Sequence, residues 1–202
     1  MDCRGLPMVA RREPSFCSAM SARRCGRHFR FLPSLTMAPL DRWTRRVAGL
    51  VAEQMGATAL FPFEGPPYWP FQRWAQRAEA VHPSPLGLLI HPDHGLWHAY
   101  RAALVFGEMI DLPPRDERLN PCAICADKPC LSSCPVGAFS GASYDVGACA
   151  AHIASIAGSD CMEFGCRARR TCPIGTSSIY EPALSRVHMD AFLRSRESPG
   201  AL

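Results

Sequence analysis

Eight cysteines crowded between residues 122 and 172 constrain this chain more than any other feature. They are Cys122, Cys125, Cys130, Cys134, Cys149, Cys161, Cys166 and Cys172. The chain has 202 residues and 11 cysteines. The other three, Cys3, Cys17 and Cys25, lie in an Arg-rich head, and none lies between residues 26 and 121. A disulfide framework normally accompanies a secretory signal. The head lacks the apolar core, roughly 7–15 residues long, that such a signal needs. Eight thiols gathered in an apparently unsecreted chain point instead to metal or to metal–sulfur clusters.

The spacing sharpens the choice. The first group reads C-x2-C-x4-C-x3-C-P, from Cys122 through Cys134-Pro135. The bacterial ferredoxin run is C-x2-C-x2-C-x3-C-P, so the departure is two extra residues before the third cysteine. The second group is Cys149, Cys161, Cys166 and Cys172-Pro173. The two groups end alike, Cys134-Pro-Val-Gly-Ala against Cys172-Pro-Ile-Gly-Thr, as an internal repeat would. A proline after the last cysteine fixes φ and removes one N–H, which turns the chain away from the ligand. In two-cluster ferredoxins that last cysteine serves the other cluster. Applied here, the rule gives cluster one Cys122, Cys125, Cys130 and Cys172, and cluster two Cys134, Cys149, Cys161 and Cys166. Two [4Fe–4S] clusters are therefore the expected cofactors. Structural zinc also uses C-x2-C pairs, but it calls for neither two Cys-Pro steps nor four cysteines within residues 122–134. Val146, Cys149, Ile153 and Ile156 recur at helical spacing, with Asp145 placed to cap that helix and Gly158 to end it.

The order C-x2-C, C, C-P, a helix with one Cys, then C, C, C-P resembles the dicluster ferredoxin domain of epoxyqueuosine reductases. Corrinoid-dependent reductive dehalogenases carry a similar domain. The stretch from His91 through Trp97 and Arg101 to Leu104 is similar to the segment before that domain, so the resemblance covers roughly residues 85–175. It implies a two-cluster module that moves electrons. The spacings before Cys130, Cys166 and Cys172 are wider than the family's. Only about 75 ordered residues are expected upstream, too few for the family's cobalamin-binding domain. Neither cobalamin nor epoxyqueuosine reduction is carried over.

Outside the module the sequence predicts an α+β protein, a small α/β N-terminal region packed on the ferredoxin-like module. Residues 1–36 hold seven Arg against Asp2 and Glu13 and show no apolar periodicity. They read as a transit peptide or, preferably, as a start placed too early, with Met37 as initiator; either way a disordered head without core contacts is expected. Residues 37–115 form the α/β region. Its expected elements are a helix over 41–55, capped by Asp41, with Trp43, Val47, Leu50, Val51 and Met55 on one face, and a strand in 57–63. A helix over 71–81 and apolar runs at 86–90 and 100–106 follow. A polar, Pro-bearing linker at 111–121 sets the boundary. Residues 116–180 are the dicluster domain and 181–202 a C-terminal tail.

The remaining signals are weaker. His91, His94 and His98 read either as a metal cluster or, preferably, as a Pro-Asp-His-Gly turn followed by packing of Trp97. Phe61, Phe63, Tyr68, Trp69, Phe71 and Trp74 read as core. Arg167, Arg169 and Arg170 would lie near a cluster, either tuning it and docking an acidic partner or forming a solvated loop. Of the net charge of +4, the head holds about +5, so no nucleic-acid partner is expected. No apolar run is long enough to span a membrane, and a cytoplasmic protein is expected. No catalytic residue is identified. The expectation is an iron–sulfur electron carrier with a redox partner protein, against a shortened epoxyqueuosine-reductase-like oxidoreductase and a zinc-stabilised interaction module.

Overall fold

The computed structural model describes residues 8–10 and 39–197. The chain divides into two units, both discontinuous: residues 1–81 with 98–119, and residues 82–97 with 120–202. The boundary expected at 116 lies near one crossing. The other two crossings correct the expectation, because residues 82–97 belong with the cysteines. Their apolar side chains explain it: Leu86, Ile90 and Leu96 form one buried cluster with Ala168 and Cys172.

The first unit is a small mixed layer. Helix α1 (Pro39–Gln54) buries Thr44, Ala48 and Ala52, a stripe at i, i+4 and i+8. The face expected from the larger residues is displaced, since Leu50 is 56% and Met55 44% exposed. Small residues let the helix approach the strands closely, and Ala52 packs with the buried Leu104 and Phe106. Asp41 lies in the first turn of α1 and pairs with Arg101. The strands of this unit are β1 (Met8–Ala10), β2 (Thr58–Leu60) and, further along the chain, Ala103–Val105, here β5. The sheet order is β1-β5-β2, parallel on one side of β5 and antiparallel on the other. Pairing of Met8–Ala10 departs from the contact-free head expected. Cys3, Cys17 and Cys25 lie outside the described residues. Helix α2 (Phe71–Ala78) buries Phe71, Trp74 and Ala75, with the Phe71 and Trp74 rings 5.3 Å apart.

The second unit is built from short pieces. A hairpin of β3 (His82–Pro83) and β4 (Leu89–Ile90) opens it. Helices α3 (Pro121–Ile124), α4 (Pro129–Ser132), α5 (Val146–Ile153), α6 (Ser159–Phe164) and α7 (Arg167–Arg170) carry or flank the cysteines. Asp145 caps α5 by accepting from the Ala148 N–H at 2.8 Å. This helix stops at Ile153, before the expected end, and Ile156 in the following 3-10 turn is 95% exposed. The expected tail is instead helix α8 (Pro182–Glu197), which packs on α6 and α5.

Two glycines let the hairpin segment touch the loop after Cys172. Gly95 and Gly175 have φ of 56° and 72°, the left-handed region that favours glycine. A Cβ on Gly95 would stand 1.9 Å from the Ile174 carbonyl oxygen, and one on Gly175 would stand 2.1 Å from the His94 carbonyl carbon. Gly95→Ala is expected to destabilise by about 3 kcal/mol, from strain and a backbone clash. Gly49→Ala, inside α1 with nothing within 4 Å of the new Cβ, is expected to stabilise by about 0.5–1 kcal/mol. Urea unfolding followed by circular dichroism checks both. A neutral Gly95→Ala would refute the close approach.

Candidate metal centre

All eight described cysteines are free thiols. Short helices and their caps deliver most of them. Asn120 caps α3 by accepting from the Cys122 N–H at 2.9 Å, with Pro121 at the first helical position. Pro129 likewise opens α4, which carries Cys130. Cys149 lies in α5, Cys161 in α6, Cys166 before α7 and Cys172 just after it.

Cys122, Cys125, Cys130 and Cys172 line one cavity that opens to solvent. The hairpin supplies Leu86, Ile90 and Leu96 to its wall, and Lys128 is the charged side chain among the lining residues. The electrostatics of the thiols show the same neighbours. Burial pushes the Cys122 thiol up to about 11, with Cys172, Cys130 and Cys125 adding and Lys128 opposing. Cys130 is raised by burial, then by Cys172 and Cys125. Cys172 is raised by burial and by Cys125.

The other four thiols answer to one another. Cys149 is raised by burial, with Cys134, Cys161 and Asp145 adding and the Tyr144 hydroxyl opposing. Burial pushes Cys166 up to about 11; the Arg169 N–H opposes, and Cys149 and Cys161 add to the rise. Tyr144 is itself raised, by burial and by a hydrogen bond to Cys149, with Cys149, Cys166 and Cys134 around it. Its ring stacks on Phe139 at 4.6 Å and 8°. The two closing cysteines are thus exchanged between the sequence groups: Cys172 stands with Cys122, Cys125 and Cys130, and Cys134 with Cys149.

Backbone N–H groups point at several sulfurs. The Ala138 N–H donates to Cys134 Sγ at 3.3 Å. Ile174 donates to Cys172, Leu131 to Cys130, and both Ala168 and Arg169 to Cys166. These contacts favour the thiolate over the thiol. Among the described residues no group of three or more His, Cys, Asp or Glu is set to hold a single metal ion.

The histidines and arginines have other employment. His91 and Gly95 exchange two backbone hydrogen bonds of 2.8 Å, and His91 Nδ1 accepts from the Asp93 N–H at 3.0 Å. The His94 ring stacks on His91, and its Nδ1 lies 3.2 Å from Ser178 Oγ. His98 belongs to the first unit. Arg169 is no surface residue of docking type: it lies 4.2 Å over the Trp97 ring, 4.8 Å over Tyr180, and donates to the Leu96 carbonyl at 2.9 Å through Nε. Arg170 pairs with Asp160, and Arg167 is exposed. Lys128 and Tyr144 went unmarked in the sequence, although the two residues added before Cys130 are the signal for the first.

Compared with known proteins, the chain matches no family model, no curated protein and no solved structure. No described helix is long and apolar enough to cross a membrane. Arg169→Leu is expected to cost about 2 kcal/mol of stability, from the lost cation–π contact and an unsatisfied Leu96 carbonyl. Urea unfolding measures it, and a loss below about 0.5 kcal/mol, ordinary for surface substitutions, would contradict the packing role.

Proposed function

We propose that the chain is an electron-transfer protein carrying two [4Fe–4S] clusters. Cys122, Cys125, Cys130 and Cys172 hold one; Cys134, Cys149, Cys161 and Cys166 hold the other. The observation that carries this reading is the exchange of Cys172 and Cys134 between the sequence groups. Independent sites have no reason to trade their closing ligands, whereas two-cluster ferredoxins do so as a rule.

The donor set fits. Thiolate-only coordination suits iron–sulfur clusters and zinc. A single zinc ion draws four sulfurs to roughly 3.8 Å from one another, given Zn–S bonds of about 2.3 Å. The first set lines the wall of one open cavity, and sulfide content separates a cluster there from a zinc ion. The N–H groups aimed at Cys130, Cys134, Cys166 and Cys172 provide the hydrogen bonds to sulfur that tune cluster potentials.

When bound, each cluster supplies one-electron chemistry. The protein's own residues bind and orient it. The capped helices α3 and α5 fix the directions of Cys122 and Cys149. Leu86, Ile90 and Leu96 limit water at the first site. No residue is assigned to bond-making chemistry, so the chain works as a carrier or redox subunit for a partner protein. The resemblance to the dicluster domain of epoxyqueuosine reductases points the same way.

Anaerobically purified protein should contain about eight iron and eight acid-labile sulfide per chain, with a broad absorbance near roughly 400 nm. Cys172→Ala should lower iron toward about half and remove the cluster that includes Cys122, leaving Cys134 and Cys149 protected from alkylation. Stoichiometric zinc without sulfide would refute the cluster reading. If Cys172→Ala exposed Cys134 and Cys149 while sparing Cys122, the exchanged ligand sets would be wrong.

A further inference from the structure

Lys128 is the only lysine of the chain, and it lies on the two-residue addition before Cys130. Its backbone has φ of 38°, and among the described residues it is the only non-glycine with positive φ. That conformation costs an L-residue roughly 1 kcal/mol or more. Here it is fixed by its surroundings: Pro129 follows it, and its carbonyl accepts from the Leu131 N–H at 2.9 Å to start α4. A glycine would take this conformation freely. The residue present instead carries a cation into the lining of the cavity shared by Cys122, Cys125, Cys130 and Cys172.

One charged side chain bears on a thiol in each set, with opposite sign. Lys128 acts on Cys122, and Asp145 acts on Cys149. Asp127, next to Lys128, is exposed and does not line the cavity. The Asp145 carboxylate is held in place by its bond to the Ala148 N–H at 2.8 Å.

We infer that Lys128 holds its ammonium at the mouth of the first thiol site and raises the reduction potential of the cluster there, so that the first electron rests on that cluster. The inference rests on the two-cluster reading and adds the direction in which the electron is held. Reduction transfers one electron from a low-potential donor, dithionite in the test below, and adds one negative charge to a site already bearing four thiolates. No bond is made or broken and no proton is required. A nearby cation favours the reduced form by Coulomb attraction, and a nearby carboxylate at the other set disfavours it. Both charges push the two potentials apart.

A sole lysine allows a test that does not depend on refolding a variant. The loaded wild-type protein is acetylated with an amine-reactive acetyl ester, which neutralises Lys128 and the α-amino group. It is then titrated with dithionite under electron paramagnetic resonance. The higher-potential of the two one-electron steps should move down, its reduction constant falling about fivefold. That is about 40 mV at 59 mV per tenfold for one electron. The lower step should stay. Lys128→Gln should reproduce the shift. Lys128→Arg, acetylated or not, should match the untreated wild type. Both steps unmoved after complete acetylation of Lys128, or both moved equally, would overturn the inference while leaving two clusters in place. Wild-type protein without iron and sulfide, found before any acetylation, would overturn the two-cluster reading, and this inference with it.

Discussion

Neighbouring thiols that are partly buried resist ionisation, and the second unit gathers eight cysteines of which Cys161 and Cys172 are buried and the rest half-buried. Burial raises Cys122, Cys130, Cys149, Cys166 and Cys172, and each thiolate formed makes the next harder to form. Cys122 and Cys166 both stand near 11 for these reasons. A cationic iron–sulfur core reverses that balance, because metal coordination favours the thiolate outright. The aimed N–H groups, Lys128 and the Tyr144 hydroxyl act in the same direction but are far weaker. Binding of such a core would release protons and would be coupled to the stability of the unit.

That coupling matters because the helices nearest the thiols are short. Helices α3, α4 and α7 are four residues each, well below the length at which a helix is stable alone. Their caps are local, and their shared apolar cluster is small: Leu86, Ile90, Leu96, Ala168 and Cys172 are its buried members. Small domains of this kind are commonly stapled by metal or disulfide. The protein-only contribution comes from α8 packed on α6 and α5 and from the hairpin segment, through the Gly95–Ile174 approach and the Arg169–Trp97–Tyr180 stack. The first unit differs: α1 lies on a sheet, and Leu104 is fully buried there.

The thiol sets were legible because ligand spacing is local and the Cys-Pro steps mark where the chain leaves a ligand. From those steps one can write Cys172 beside Cys122 and Cys134 beside Cys149; Cys122, Cys125, Cys130 and Cys172 line one cavity, and that the two sets are the ligands of two clusters is the proposal. The helices over 39–54 and 71–78 were legible from period and punctuation. The buried face of α1 was not, because Thr44, Ala48 and Ala52 are weakly apolar and their burial is decided by Leu104 and Phe106, distant in sequence. Membership of residues 82–97 in the cysteine unit was hidden for the same reason: nothing local in Leu86 or Ile90 names Cys172 as a neighbour. Helix α8 was read as a tail because its polar and apolar residues interleave without a strong stripe. Lys128 was passed over because a single exposed lysine carries no pattern, and only its backbone conformation and its place in the cavity lining distinguish it.

The central claim is that the eight thiols hold two inorganic clusters, and mass reports this most directly. Anaerobically purified protein, sprayed from ammonium acetate under non-denaturing conditions, should show the polypeptide mass plus two [4Fe–4S] units, less the protons displaced on coordination. Acid denaturation should return it to the bare chain. A native mass equal to the bare chain, or one raised only by the mass of one or two zinc ions, would contradict the account.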